Sequence, residues 1–133
     1  MITGMAHACF TVSDLDASIH FYQDLLGLKP AFDFVRENGH RFGLYLHLGG
    51  RNFIELFEGQ LGERAEGQPF KHICLEVDDI QSTVATLRER GLEVSDPKLG
   101  GDFSWQAWIT DPDGNRIELH DYTAESKQAP HLE

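Results

Sequence analysis

The sequence predicts an α+β fold of two tandem modules, each with the element order βαβββ. The first observation is a repeat near the start of each half, where His7-Ala8-Cys9 returns as His72-Ile73-Cys74. The second is a repeat near the end of each half, where Asn52-Phe53-Ile54-Glu55-Leu56 returns as Asn115-Arg116-Ile117-Glu118-Leu119. Each repeat spans roughly 65 residues, which is marginal for independent folding, so the two halves are expected to form one domain together.

Each half is expected to open with a strand and then a helix. In the first half a strand near Ala6–Val12 leads to Ser13 or Asp14, either of which can cap a helix that ends at Gly27. In the second half a strand near His72–Val77 leads to a helix that ends before Gly91. Further strands are predicted at about Ala31–Arg36, Arg41–Leu48 and Asn52–Glu58, and then at about Leu92–Ser95, Phe103–Thr110 and Asn115–Tyr122.

The domain organisation follows from these elements. The whole chain, 1–133, is expected to be a single domain, with module 1 at about 5–58 and module 2 at about 70–122. Residues 59–69, rich in Gly, Glu and Gln, are expected to link the modules. The polar segment 123–133 shows no periodicity and is predicted to be a loose tail.

Composition narrows the classes of function. A formal net charge of -11 argues against nucleic acids and anionic membrane surfaces as partners, so a small-molecule substrate is favoured. The chain shows no apolar run of membrane-spanning length and no signal-peptide pattern at its start, and a cytoplasmic location is expected. In that compartment Cys9 and Cys74 should remain thiols, and both are predicted to be buried core residues.

Histidine and glutamate recur at equivalent positions in the two halves. Strand periodicity places Glu55 on one face with Phe53 and Phe57, where a carboxylate is costly unless it is protonated, paired or bound to a cation. Because two glutamates and two histidines occupy equivalent positions, one shared role explains them better than separate roles do. Two imidazoles and two carboxylates suit one divalent ion per chain, such as Zn, Ni, Co, Mn or Fe, with positions left for water or substrate oxygens.

Several longer motifs resemble a known family. They lie between about Met5 and Tyr122 and include Val12-Ser13-Asp14-Leu15, Phe53-Ile54-Glu55-Leu56, Lys71-His72-Ile73 and Asp111-Pro112-Asp113-Gly114-Asn115. The chain resembles the vicinal oxygen chelate superfamily, also called the glyoxalase, bleomycin resistance and extradiol dioxygenase group. The resemblance implies two βαβββ modules that form an open barrel around a metal site, and members of the family commonly form homodimers. It also implies that the metal ligands are His7, Glu55, His72 and Glu118.

The complete His, Glu, His, Glu set most resembles the glyoxalase I-like branch. That branch implies a lyase or isomerase that removes a proton next to a carbonyl, by way of an enediolate, on a small molecule with vicinal oxygens. Either Glu55 or Glu118 could be the catalytic base. Glutathione-handling members usually have an arginine and an asparagine where this chain has Thr11 and Gly59, which leaves the use of a thiol cofactor open.

Four further residues are predicted to line the substrate cavity, namely Tyr45, Phe57, Trp108 and His120. Phe57 and His120 each lie two residues after a glutamate, on its own face, and Tyr45 and Trp108 each precede a glutamate by ten residues. Two other functions remain open. A ferrous-iron dioxygenase of the extradiol type could use the same ligands, and a non-catalytic module could bind a small molecule between its aromatic side chains.

Overall fold

The computed structural model describes residues 1–132 of the chain. They divide into two compact units, with the boundary between Ala65 and Glu66.

The first unit is a four-stranded sheet with one helical segment. Its elements are β1 (His7–Val12), α1 (Leu15–Ile19), a π-helical continuation of α1 (His20–Leu25), β2 (Lys29–Val35), β3 (Arg41–Gly49) and β4 (Asn52–Glu58). The strand order is β1-β4-β3-β2, with β1 parallel to β4 and the other pairs antiparallel. The carboxylate of Asp14 caps α1 by accepting a hydrogen bond of 3.0 Å from the Ala17 amide. Gly27 follows the helical segment with a φ of 79°, a conformation that favours glycine.

The second unit repeats this order. Its elements are β5 (Ile73–Glu76), α2 (Ile80–Glu89), β6 (Lys98–Leu99), β7 (Trp105–Thr110), β8 (Arg116–Asp121) and a 3₁₀ turn (Ala129–His131). The strand order is β5-β8-β7-β6, and β5 is parallel to β8. Asp79 caps α2 through the Ser82 amide at 2.7 Å. The prediction of two tandem βαβββ modules is therefore confirmed.

Each sheet has one buried face and one open face. In the first unit Leu44, Leu46, Ile54 and Leu56 are at most 1% exposed, whereas their alternate neighbours on β4 are half-buried. In the second unit Ala107, Ile109, Ile117 and Leu119 form the buried face and pack with the apolar side of α2. The residues predicted to carry function lie in the alternate positions, so strand periodicity places them on the open faces.

Two sequence-based expectations differ from the structure. Residues Leu92–Ser95 do not form a strand, and the short strand β6 lies further along at Lys98–Leu99. The Ser95 amide still donates to the Trp108 carbonyl at 3.1 Å, but Pro97 has no amide hydrogen and cannot continue such a ladder.

Residues 124–131, part of the segment expected to be loose, are attached to the second unit. Ser126 is 3% exposed, and its hydroxyl contacts that of Ser104 at 2.7 Å. The Gln128 side chain donates to the Asp102 carboxylate at 2.7 Å. The segment lacks an apolar period because side-chain hydrogen bonds, rather than an apolar face, hold it in place.

No helix within residues 1–132 is long and apolar enough to cross a membrane.

Candidate functional site

The open face of the first sheet brings His7 and Glu55 together. The two residues lie on the adjacent parallel strands β1 and β4, and His7 Nε2 is 3.9 Å from Glu55 Oε1. The side chain of Glu55 is only 15% exposed, whereas that of His7 is 39% exposed. The carboxylate is thus partly withdrawn from water, while the imidazole remains open to a ligand.

Tyr45 contacts both members of this pair. It faces Glu55 directly across the β3–β4 ladder, and its hydroxyl oxygen is 3.3 Å from His7 Nδ1. The hydroxyl donates its one hydrogen to the Glu55 carboxylate, which raises the pKa of Tyr45 and keeps the phenol protonated. Since the hydroxyl hydrogen is already used, the Tyr45 oxygen can only accept a hydrogen bond from His7, and Nδ1 must carry the proton for this. A neutral imidazole then has its free lone pair on Nε2, which is the atom nearer to Glu55.

Glu55 is ionised in this setting. Partial burial acts to raise the pKa of its carboxyl group, but hydrogen bonds from the Tyr45 hydroxyl and the Cys9 thiol, together with the positive charge available on His7, hold that pKa below its usual value. Glu55 is therefore an anion near neutral pH, as a carboxylate ligand to a metal ion must be.

The second sheet repeats the pair with a closer contact. His72 Nε2 is 3.1 Å from Glu118 Oε2, and the side chains are 36% and 14% exposed. Trp108 stands where the first unit has Tyr45, opposite Glu118 on the β7–β8 ladder. Its ring meets the His72 ring edge to face at 4.8 Å, so His72 is held by an aromatic contact rather than by a hydroxyl group.

His120 gives the second unit a contact that the first unit lacks. Its Nδ1 is 3.2 Å from Glu118 Oε1, and the residue is only 8% exposed. Its Nε2 is buried without a hydrogen bond within residues 1–132, although it is 3.6 Å from Asp102 Oδ2. Hydrogen bonds from Gln128 and from the Ser104 amide, followed by the charge on His120, lower the pKa of Asp102. His120 is therefore a buried imidazole between two carboxylates.

The cysteines do not occupy the core, contrary to the sequence-based expectation. Cys9 and Cys74 are both exposed free thiols, because each lies two residues after a histidine of the pairs and therefore points to the open face. Each faces a glutamate across a parallel ladder, Cys9 with Glu55 and Cys74 with Glu118. Local burial and then the neighbouring glutamate raise the pKa of Cys9 to about 11 and that of Cys74 to about 12, so both remain protonated.

Trp108 also lines a cavity at the edge of the second sheet. The cavity has a volume of about 530 Å³ and is bounded by the segment Gly91–Ser95 and by Thr110 and Arg116. The Arg116 guanidinium carbon lies 4.2 Å above the Trp108 ring, a cation–π contact. The cavity lining therefore combines the indole and the apolar side chains of Leu92 and Val94 with the polar groups of Ser95, Thr110 and Arg116.

The donor atoms of each half have a chemistry and spacing that fit a divalent ion. Two ligands that each bind an ion at about 2.1 Å lie about 3.0 Å apart at octahedral angles and about 3.4 Å apart at tetrahedral angles. The His72–Glu118 distance of 3.1 Å falls in this range, and the His7–Glu55 distance of 3.9 Å is slightly longer. In addition, Cys74, Glu118 and His120 offer ligand atoms that all lie within 4.8 Å of one another.

The structure thus pairs the predicted ligands within each half and places Tyr45, Phe57, Trp108 and His120 on the same open faces. Three neighbours of the predicted site residues were not predicted from the sequence: Cys9 and Cys74, which face the glutamates, and Asp102, which lies near His120. The two-residue period from His7 and His72 would have revealed the cysteines, whereas Asp102 lies in a loop with no periodic signal. Three of the other histidines have separate contacts: His20 with Asp24, His40 with Glu58, and His47 with the Gly50 carbonyl.

The chain is similar in sequence to curated proteins and in structure to solved ones. It is 33% identical over 131 residues to a metallothiol transferase FosB of Staphylococcus epidermidis, covering 95% of this chain and 87% of that protein. It is 33% identical over 122 residues to a lactoylglutathione lyase of Haemophilus influenzae, covering 85% and 88%. Among solved structures, the antibiotic-binding protein TnmS3 of a Streptomyces species has a TM-score of 0.73 at 26% identity, covering 92% and 98%.

Residues 4–119 match the sequence model of one family, and this match includes all four residues of the two His–Glu pairs. The chain belongs to the Glyoxalase/Bleomycin resistance protein/Dioxygenase superfamily.

Proposed function

We propose that this protein is a divalent-metal-dependent lyase or isomerase of the glyoxalase I-like type, acting on a small molecule with vicinal oxygens. The observation that supports this most strongly is the duplicated pair, in which a half-exposed imidazole stands beside a carboxylate that is only about 15% exposed. A pair kept at the same place on two sheets is better explained by one shared ligand than by two separate structural roles.

The proposed ligands of one ion per chain are His7, Glu55, His72 and Glu118. The bound ion would supply Lewis-acid stabilisation of the negative charge that develops on two adjacent substrate oxygens. Side chains of the protein would remove a proton from the carbon next to the carbonyl and return it to the neighbouring carbon.

Glu118 is the better placed of the two glutamates to act as the base. Both glutamates accept a hydrogen bond from a cysteine thiol, but only Glu55 faces the Tyr45 hydroxyl, whose hydrogen bond lowers the pKa of Glu55 and makes it a weaker proton acceptor. Glu118 has His120 Nδ1 at 3.2 Å from one carboxylate oxygen, and this imidazole can relay a proton. We therefore assign proton abstraction to Glu118 and mainly ion binding to Glu55.

One relative supports a second candidate. The metallothiol transferase matches over 95% of this chain, so transfer of a thiol to a small molecule is an alternative reaction for the same site. The full set of two histidines and two glutamates favours the lyase or isomerase.

We also propose that the protein forms a homodimer, which sedimentation at micromolar concentration tests directly.

The experiment that tests the proposed function compares Glu118→Gln with Glu55→Gln in metal-loaded protein. An amide keeps roughly the shape of the carboxylate and can still offer an oxygen ligand, but it cannot act as a base near neutral pH. On α-oxoaldehyde and α-hydroxyketone substrates, E118Q should lose on the order of 10²-fold or more in kcat, whereas E55Q should mainly weaken metal binding.

Uptake of solvent deuterium at the substrate carbon next to the carbonyl reports the abstraction separately from turnover. Glu89→Gln, at the exposed end of α2, is the matched control and should match the wild type in both measurements. Full turnover by both site variants with metal bound would exclude a glutamate base. Thiol transfer without deuterium uptake would favour the alternative reaction.

A further inference from the structure

Four aromatic rings form a continuous layer on the open face of the first sheet, beside His7 and Glu55. We call the set Phe32, Phe34, Tyr45 and Phe57 the aromatic wall. Phe32 stacks on Tyr45 with ring centroids 4.6 Å apart and planes 16° apart. Phe34 links the others, at 5.9 Å from Tyr45 and 4.9 Å from Phe57.

The wall is not part of the core. Phe32 is 51% exposed, and the other three rings are half-buried. The core lies on the opposite face of the same strands, where Leu44, Leu46, Ile54 and Leu56 are at most 1% exposed. Contiguous apolar surface that is left in water is unfavourable for the free protein and typically marks a binding site.

The backbone is adapted to one of these rings. Gly43 faces Phe57 across the β3–β4 ladder, and a Cβ atom at Gly43 would lie 2.4 Å from Phe57 Cδ1 and 2.6 Å from the Leu56 carbonyl oxygen. The edge of the Phe57 ring therefore occupies space that any other residue at position 43 would fill. Glycine at this position permits the wall to continue across β3.

The second sheet shows that neither the fold nor the His–Glu pair requires these rings. In the first unit the β3–β4 ladder pairs Tyr45 with Glu55 and Gly43 with Phe57. The equivalent β7–β8 ladder of the second unit pairs Trp108 with Glu118 and Gln106 with His120. Phe57 thus corresponds to His120, and Gly43 to Gln106. The second unit keeps its pair beside Trp108, with His120 and Gln106 at the positions of Phe57 and Gly43, so a His–Glu pair does not depend on the ring layer of the first unit.

We propose that the aromatic wall binds an aromatic or other planar apolar group of the substrate, directly attached to the carbons that bear the vicinal oxygens. Tyr45 sets this proximity: its ring belongs to the wall, its hydroxyl contacts His7, and the Tyr45 and His7 ring centroids are 5.5 Å apart. A planar group stacked on the wall therefore lies within a bond or two of oxygens held at the pair. Offset stacking and burial of apolar area favour such a group over a methyl group.

This inference rests on the proposed function, because it assumes that the substrate presents two adjacent oxygens at the His–Glu pair. The test uses two chelating probes, acetohydroxamate and benzohydroxamate, which offer the same pair of oxygens and differ only in a methyl or a phenyl substituent. Their dissociation constants are measured by calorimetry on metal-loaded wild type, Phe32→Ala and Phe70→Ala. Phe70 is 61% exposed and lies outside the wall, so F70A is the matched control.

The wild type and F70A should bind benzohydroxamate about 10-fold more tightly than acetohydroxamate. F32A should lose most of this preference while its acetohydroxamate affinity stays within about twofold of the wild type. Since Phe32 is exposed, F32A should fold, and an unchanged Tm confirms it.

Equal binding of the two probes by the wild type, or an unchanged preference in F32A, would overturn the wall as a substrate site while leaving the metal site in place. If F32A instead changes a dimer into a monomer in sedimentation and keeps the preference, the wall is an interface between copies of the chain and the proposal is wrong. Failure of both probes to bind protein that contains the ion would overturn the proposed function, and this inference with it.

Discussion

Removal of the Tyr45 hydroxyl should weaken metal binding without disturbing the fold. The hydroxyl contacts both members of the first His–Glu pair, accepting from His7 Nδ1 at 3.3 Å and donating to the Glu55 carboxylate. In Tyr45→Phe the ring remains stacked on Phe32 at 4.6 Å, so packing is preserved and only the polar contacts are lost.

The size of the effect follows from the role of outer-shell partners. Such partners fix the tautomer and orientation of a ligating imidazole, and their loss typically costs 10–100-fold in metal affinity. The contact to His7 is long for a hydrogen bond, so we expect the lower end of this range, about 10-fold. Loss of the hydroxyl also lets the pKa of Glu55 rise towards its usual value, which lies too far below neutral pH for protons to compete with the ion.

The assay is competition with a chromophoric chelator for Zn²⁺ or Ni²⁺ at pH 7, on apo protein of unchanged Tm. Tyr122→Phe is the matched control, because it also removes one hydroxyl from an open face and should shift the affinity by less than about twofold. A Y45F affinity within twofold of the wild type would refute the argument that Tyr45 orients His7.

Two further predictions concern stability. Ser126→Ala removes a buried hydroxyl that contacts the Ser104 hydroxyl at 2.7 Å and accepts from the Thr123 amide at 2.8 Å. The free energy of unfolding, measured in urea, should therefore fall by about 1–3 kcal/mol. A decrease below about 0.5 kcal/mol would contradict the attachment of the tail through Ser126. Asp102→Asn tests the lowered pKa of Asp102. A carboxyl group whose pKa is lower in the folded state stabilises the fold above its unfolded pKa of about 3.9 and loses this contribution as the pH falls through the folded value. D102N should therefore be less stable than the wild type at pH 7, and the gap should close as the pH falls below about 4; an equal gap at pH 7 and pH 3 would contradict the assignment.

Sequence periodicity predicted most of the fold because each module relies on local signals. The caps at Asp14 and Asp79 and the stop at Gly27 are chemical signals that act within one helical turn. The expected strand at Leu92–Ser95 was wrong because β-propensity alone does not show that Pro97 interrupts the pairing. The attachment of the tail through Ser126 was missed because it depends on side-chain hydrogen bonds to residues more than twenty positions away.

The part of the candidate site that could be predicted from the sequence is the part that is repeated in both halves. The proposed ligands His7, Glu55, His72 and Glu118 were inferred because each has an equivalent residue in the other half. The contacts that are present in only one half cannot be found by comparing the two halves. The contact of His120 with Glu118 and the continuous ring layer from Phe32 to Phe57 depend on register across the sheet, which a single sequence does not define.

Metal analysis of protein purified without chelator tests the central claim most directly. The wild type and the control His20→Ala, whose imidazole pairs with Asp24 on the helical segment, should each contain one divalent ion per chain. His7→Ala and His72→Ala should each lose nearly all of it while remaining folded, because the two halves are proposed to supply ligands to the same ion. Full metal content in either variant, with the fold intact, would contradict the proposed ligand set.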